Sequence, residues 1–173
     1  MPFTFSSTLP KNYREIAKVI SGDQSTRYAG SEYLLAEDDE KSEVFQIKYE
    51  YYCGPFKEAA KSGNLLIVGH SGHFYLYDLT SHQNILALQM DGYFGHFYLK
   101  GEHIYVADSG TLFCIDRKGT IIWRNTNLGV DGVIIEKFTE NEVYGSGEWD
   151  PPGGWVDFVL ELKTGQKVNR NIG

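Results

Sequence analysis

Residues 91–125 read DGYFGHFYLKGEHIYVADSGTLFCIDRKGTIIWRN. Four short runs stand out in it: YFGHFYLK, HIYVA, TLFCID and TIIWR. They are separated by Gly101-Glu102, by Asp108-Ser109-Gly110 and by Arg117-Lys118-Gly119. Each run is rich in β-branched and aromatic residues, and each break is built from residues that close tight turns. No run is long enough for a helix to compete. The stretch therefore predicts four short strands joined by hairpins.

The same unit recurs on both sides. Upstream, Lys61-Ser62-Gly63-Asn64 turns into LLIVGH, Ser71-Gly72 turns into HFYLYD, and LTSHQ leads into NILALQM. Downstream come GVIIEKF, a turn at Thr139-Glu140-Asn141, EVYGSG, a long turn EWDPPGG, WVDFVLEL and then Lys163-Thr164-Gly165. Gly30, Gly63 and Gly101 precede equivalent strands, with Asn141 in the last slot. Gly72 and Gly110 open the next strand, which closes on Asp78, Asp116 or Glu161. Asp91-Gly92 and Asp131-Gly132 open successive units. Four strands per unit at a period of roughly 33 to 45 residues is the pattern of propeller blades. Repeats at about 30–53, 54–90, 91–130 and 131–168 predict one all-β domain over 1–173, with about four short four-stranded blades, or three and a partial N-terminal one.

Residues 1–29 are less legible. Leu9, Tyr13, Ile16 and Ile20 have a spacing that suits a short helix, while REIAKVI suits a strand; strand is preferred because strands follow. Glu37-Asp38-Asp39-Glu40, between YLLA and SEVFQIKYEYY, reads as a solvated hairpin loop.

Composition limits the function. The 173 residues carry 42% hydrophobic and 14% aromatic side chains with 19 glycines, as a turn-rich all-β domain does. No apolar run approaches a membrane span. The opening MPFTFSSTLPKN lacks the basic-then-apolar order of a secretory signal, so a cytoplasmic chain without a membrane role is expected. Cys53 and Cys114 are expected to be reduced. A formal net charge of −7 argues against nucleic acid and for a basic partner.

Propeller topology sorts the loops onto two faces. One face is expected to hold His70-Ser71-Gly72-His73, Asp91, Tyr93, Asp108, Asp131 and the GSGEWDPPGGW stretch with Glu148, Trp149 and Asp150. The other is expected to hold Lys61, Lys100, Arg117, Lys118 and Lys163. Asp91, Tyr93, Asp108, Asp131, Glu148, Trp149 and Asp150 are thus the candidate partner-binding residues. Two prolines stiffen the 145–155 loop, and a rigid loop with aromatic anchors has hot-spot composition. Trp155, at a strand start, is expected to fold back over the core; Trp149 is evenly balanced between core and surface.

The enzymatic readings are weaker. His70 and His73 form a poor metal motif. Glu148 and Asp150 are a carboxylate pair of the glycosidase kind, but propeller glycosidases are much larger. The DSG and DG loops are more simply turns than calcium sites. No catalytic residue, metal or cofactor is expected.

SGTLFCIDRKGTIIWRN resembles the blade repeat of PQQ-like and WD40-like β-propellers, with Gly110, Asp116, Gly119 and Trp123 at the motif positions. His82-Gln83 replaces the turn glycine in one neighbouring unit, and Gly165 lacks a following tryptophan in another. Quinone binding is not implied, because the ligand residues and the large ring are missing. A small acidic propeller-like chain with an EWDPPGGW loop is also similar to immunity proteins of bacterial contact-dependent growth inhibition, a polymorphic toxin system. That resemblance implies a toxin inhibitor in a toxin–immunity complex, its partner a cognate toxin domain, often a basic nuclease blocked by carboxylates that imitate phosphate. The alternative is a small-ligand or carbohydrate-binding protein, with tryptophans stacking on a ring.

Overall fold

A computed structural model describes residues 3–9, 17–21, 30–37, 42–49, 52, 54–150 and 152–168. Among them there are fifteen strands and no helix, hence no helix long and apolar enough to cross a membrane. The strands form four small sheets, three of four strands and one of three, in an all-β, propeller-like fold. The chain divides into two compact units, residues 1–90 and 91–173.

In the first unit, β1 (Phe3–Ser6), β2 (Lys18–Ser21), β3 (Gly30–Glu37) and β4 (Ser42–Tyr49) form one sheet in the order β1-β3-β4-β2. The second sheet is a simple meander of β5 (Lys57–Ser62), β6 (Leu65–His70), β7 (His73–Asp78) and β8 (Gln83–Gln89). Ile20, Leu34, Phe45 and Ile47 from one sheet pack with Leu66, Val68, Tyr75 and Tyr77 from the other. The first sheet departs from the expected up-and-down order. β2 runs parallel to β4, while β1 and β4 flank β3 antiparallel. Parallel neighbours need a crossover, and neighbouring turn residues do not reveal one. The preferred strand reading of residues 14–20 holds for Lys18–Ile20, with residues 14–16 outside the described ones. Glu37, expected to open a hairpin loop, is instead the last residue of β3; residues 38–40 lie outside the described ones, as does Cys53.

In the second unit, β9 (Phe94–Lys100), β10 (His103–Asp108), β11 (Leu112–Asp116) and β12 (Ile121–Asn125) form the meander read from the opening stretch. β13 (Val133–Phe138), β14 (Glu142–Trp149) and β15 (Gly154–Glu161) form the next sheet, and a single bridge from Leu160 to Lys167 adds a fourth edge. Tyr105, Leu112, Cys114 and Trp123 pack against Val133, Val143, Phe158 and Leu160. The Trp123 ring is held in place: its Nε1 donates to the Leu162 carbonyl at 3.0 Å, and Asn125 donates to the Gly165 carbonyl at 2.8 Å. A side chain at Gly165 would start 2.3 Å from that ring, so the motif glycine is needed for the close approach as well as for its φ of +69°.

The aspartates that end the third strands act as turn caps. Asp116 Oδ1 accepts from the amides of Lys118 and Thr120, and Asp78 Oδ1 from those of Thr80 and Ser81. These amide bonds, Thr120's foremost for Asp116 and Ser81's for Asp78, hold both carboxyls below their ordinary range. The turn after each cap needs a left-handed residue, supplied by Gly119 (φ +82°) in one meander and by His82 (φ +56°) in the other.

Candidate functional site

Four segments meet at one end of the second unit: the entry to β9, the β10–β11 turn, the β12–β13 loop and the β14–β15 hairpin. Backbone bonds tie them together. Gly132 N donates to the Ser109 carbonyl at 2.8 Å, Glu148 N to the Gly132 carbonyl at 2.8 Å, and Val130 N to the Glu148 carbonyl at 2.7 Å. Ser109 Oγ donates to the Asp91 carbonyl at 2.5 Å. Tyr93 crosses the same gap, donating its hydroxyl to the Asp131 carbonyl at 2.5 Å. Burial, followed by the Asp131 charge, raises the Tyr93 phenol, which therefore stays a donor. Gly147 makes the approach possible, because a side chain there would start 1.9 Å from the Leu128 carbonyl.

The structure thus brings together Asp91, Tyr93, Asp108, Asp131 and Glu148, though not in equal roles. Asp91 and Asp131 are exposed and Glu148 is half-buried. Asp108 is fully buried, a correction to its expected place on the outer surface. Its Oδ1 accepts from the amides of Gly110 (2.9 Å) and Thr111 (2.6 Å), and its Oδ2 from Asp91 N (3.1 Å). Burial raises its carboxyl above the ordinary range even though those three amides oppose the shift. Asp108 therefore positions the loop bearing Asp91 and leaves contact to its neighbours.

The 145–155 stretch is also not the long loop expected. β14 and β15 pair without a break from Glu142↔Glu161 to Trp149↔Gly154. Among the described residues only 150, 152 and 153 remain between the paired strands, with Gly153 N donating to the Asp150 carbonyl at 2.7 Å and Gly154 left-handed at φ +60°. Asp150 is exposed at the tip and Trp149 is half-buried. Trp155 reverses the expectation. It is 49% exposed, directly opposite Glu148, with its ring edge against Gly132. Val130 and Val156 are also exposed. Sequence reasoning missed these three; the one available signal was that Trp155 alternates out of step with core-facing Phe158 and Leu160.

The opposite end of this unit is less purely basic than expected. Arg117 Nε lies 3.2 Å from Glu102, Lys100 donates to the Thr139 carbonyl and sits over the Phe138 ring, and Glu140 and Glu161 share the region with Lys163.

In the first unit the expected exposed turn His70-Ser71-Gly72-His73 is largely inside. His70 is 1% exposed and its Nε2 lies 2.6 Å from Glu32 Oε2, whose other oxygen accepts from Lys57 at 2.5 Å. The imidazole also packs on Tyr49 and Phe5. Burial lowers the His70 basicity, with Glu32 opposing. Burial alone would raise the Glu32 carboxyl, but Lys57 and His70 together hold it below its ordinary value. Among the described residues no group of three or more His, Cys, Asp or Glu side chains converges as a metal site.

No family model matches this sequence, and no curated protein matches it. Solved structures share its fold. BamB from Moraxella catarrhalis, a PQQ-like propeller, superposes with a TM-score of 0.53 at 14% identity, over 79% of this chain and 42% of that one. A chain of a mitotic checkpoint complex, on a WD40 propeller, superposes with a TM-score of 0.54 at 11% identity, over 97% of this chain and 55% of that one. The chain spans about half the length of these structures. At such identities the likeness speaks for the fold, in agreement with the blade repeat.

Proposed function

We propose that this chain is a protein-binding module that offers the acidic, aromatic end of its second unit to a basic partner. The observation that carries the reading is the convergence of Asp91, Asp131 and Glu148 on segments locked by backbone hydrogen bonds, with a half-exposed Trp155 directly opposite Glu148. Locked loops lose little freedom on binding, so more of the contact energy appears as affinity. Carboxylates beside an exposed indole suit a partner's arginine or lysine, by charge and by the ring face.

The finer reading is an immunity protein of a bacterial contact-dependent growth inhibition system. In it, a cytoplasmic, non-enzymatic chain occludes the phosphate-binding site of a cognate basic nuclease toxin domain, its carboxylates standing in for phosphate. The acidic balance of the chain and the rigid Glu148–Trp155 hairpin tip support it.

The test is to recover partners from the source organism's lysate at low salt, express the recovered protein, and titrate it with variants. Neutralising Asp91, Asp131, Glu148 and Asp150 together is expected to slow association by about 10- to 100-fold and flatten its salt dependence. Trp155→Ala is expected to cost about 2 kcal/mol of affinity, mainly through faster dissociation. Unchanged affinity in the quadruple variant would sink the acidic-face reading. A partner without toxicity that the chain relieves would sink the immunity reading alone.

A further inference from the structure

A cavity of about 380 Å³ opens at the other end of the second unit, between the β9–β12 and β13–β15 sheets. Its walls include Tyr105, Trp123 and Leu162, and its polar lining includes Glu140, Glu161 and Lys163. We propose that this cavity is a binding site for a zwitterionic amino acid with a large apolar side chain, separate from the acidic face.

The chemistry follows from the lining. Tyr105 and Trp123 are core residues held by packing, and the Trp123 ring is further fixed by its bond to the Leu162 carbonyl. The aromatic wall is therefore preformed, as small-molecule sites generally are, and the volume lies in the range such sites occupy. The buried part of the lining, Tyr105 and Cys114, is neutral: burial pushes the Cys114 thiol up to about 11 and the Tyr105 phenol higher still, while His103 and Asn141 join the polar lining. A charged group is thus excluded from the floor and an aromatic or branched aliphatic one is favoured. The polar lining is mixed in sign. Glu140 and Glu161 lie on the turn and strand end that flank Lys163, which suits an ammonium and a carboxylate on one carbon better than either charge alone. The Glu140 carboxylate and the Lys163 ammonium have no ion-pair partner among the described residues.

The test is calorimetric titration of the full chain with L-phenylalanine, with phenethylamine and 3-phenylpropionate as probes lacking one charge each, alongside tryptophan emission. L-Phenylalanine is expected to bind at least about tenfold more tightly than either probe. Lys163→Gln is expected to remove most of that advantage over phenethylamine, and Glu140→Gln most of that over 3-phenylpropionate. Both sites are exposed turn residues, so the variants should keep the wild-type melting temperature. Absence of binding by L-phenylalanine at millimolar concentration overturns the proposal. Equal binding of phenethylamine overturns it too, as does an advantage that survives both substitutions. The acidic-face variants should leave this titration unchanged, which separates it from the partner-binding reading.

Discussion

His70-Ser71-Gly72-His73 and Asp108-Ser109-Gly110-Thr111 occupy the same slot in two successive meanders, at the end of the second strand. Both lead with a side chain that is almost wholly buried. The Asp108 carboxylate turns to its own backbone and takes three amides, so the turn is closed locally and Asp91 is drawn in. The His70 imidazole cannot accept several amides, and it reaches Glu32 in a different sheet instead, where Lys57, its cross-strand neighbour on β5, binds the other carboxylate oxygen. There the turn uses Ser71 in the left-handed region, φ +54°. One repeat position thus serves as a local cap in one unit and as a clasp between sheets in the other. The difference comes from how many hydrogen bonds each side chain can accept.

The largest effect should come from removing the local cap. Asp108→Ala strands three amide donors, two in the turn and one at Asp91, and is expected to cost roughly 3 kcal/mol or more in urea unfolding. A cost under about 1 kcal/mol would mean that water replaces the carboxylate readily and that the turn is not closed by it. Glu32→Ala should cost somewhat less, about 2 kcal/mol, because Lys57 is partly exposed and regains solvent while His70 is left buried.

The two slots should also answer pH in opposite directions. The His70 basicity is lowered by folding, so its contribution is complete above the ordinary histidine value and fades as pH falls below it, because the unfolded chain takes up the proton first. Lowered Glu32 adds to that loss further down, below the ordinary carboxyl value. Asp108 is raised by folding, so its contribution is present at low pH and is lost as pH rises through its folded value. Amide exchange between pH 7 and 4 is the discriminating measurement. β6 and β7 should lose protection on acidification, and His70→Phe should flatten that loss, while the β10–β11 turn should show the reverse trend. Parallel behaviour of the two turns would break the comparison.

The smallest effect concerns the next turn of each meander. His82 is exposed and holds the left-handed conformation that Gly119 holds in the other meander. His82→Gly is expected to gain about 0.5 kcal/mol, and Gly119→Ala to lose about 1 kcal/mol, by thermal melting.

Much of this was legible from residue order. His82-Gln83 standing where the other repeat has its turn glycine marks a real left-handed site, and the strands of the 91–125 stretch lie where their β-branched runs and Gly-Asp-Ser breaks place them. Asp91, Tyr93, Asp131 and Glu148 converge because the alternation of strand direction sends those loops to one end. Asp108 and Trp155 were misread for one reason: charge and size suggest exposure for the first and burial for the second. An aspartate that finds three amides is stable inside, and a tryptophan near a hairpin end stays half exposed.

The sequence by itself determined the strands, their turn residues and the blade period of this protein, because turn closure and side-chain alternation are local effects spanning a few residues. Tertiary structure alone decided the β1-β3-β4-β2 order, the inward path of His70 to Glu32, the burial of Asp108, the exposure of Trp155 and the cavity beside Trp123. Each of these depends on what packs across from a residue, and that neighbour is drawn from a distant part of the chain.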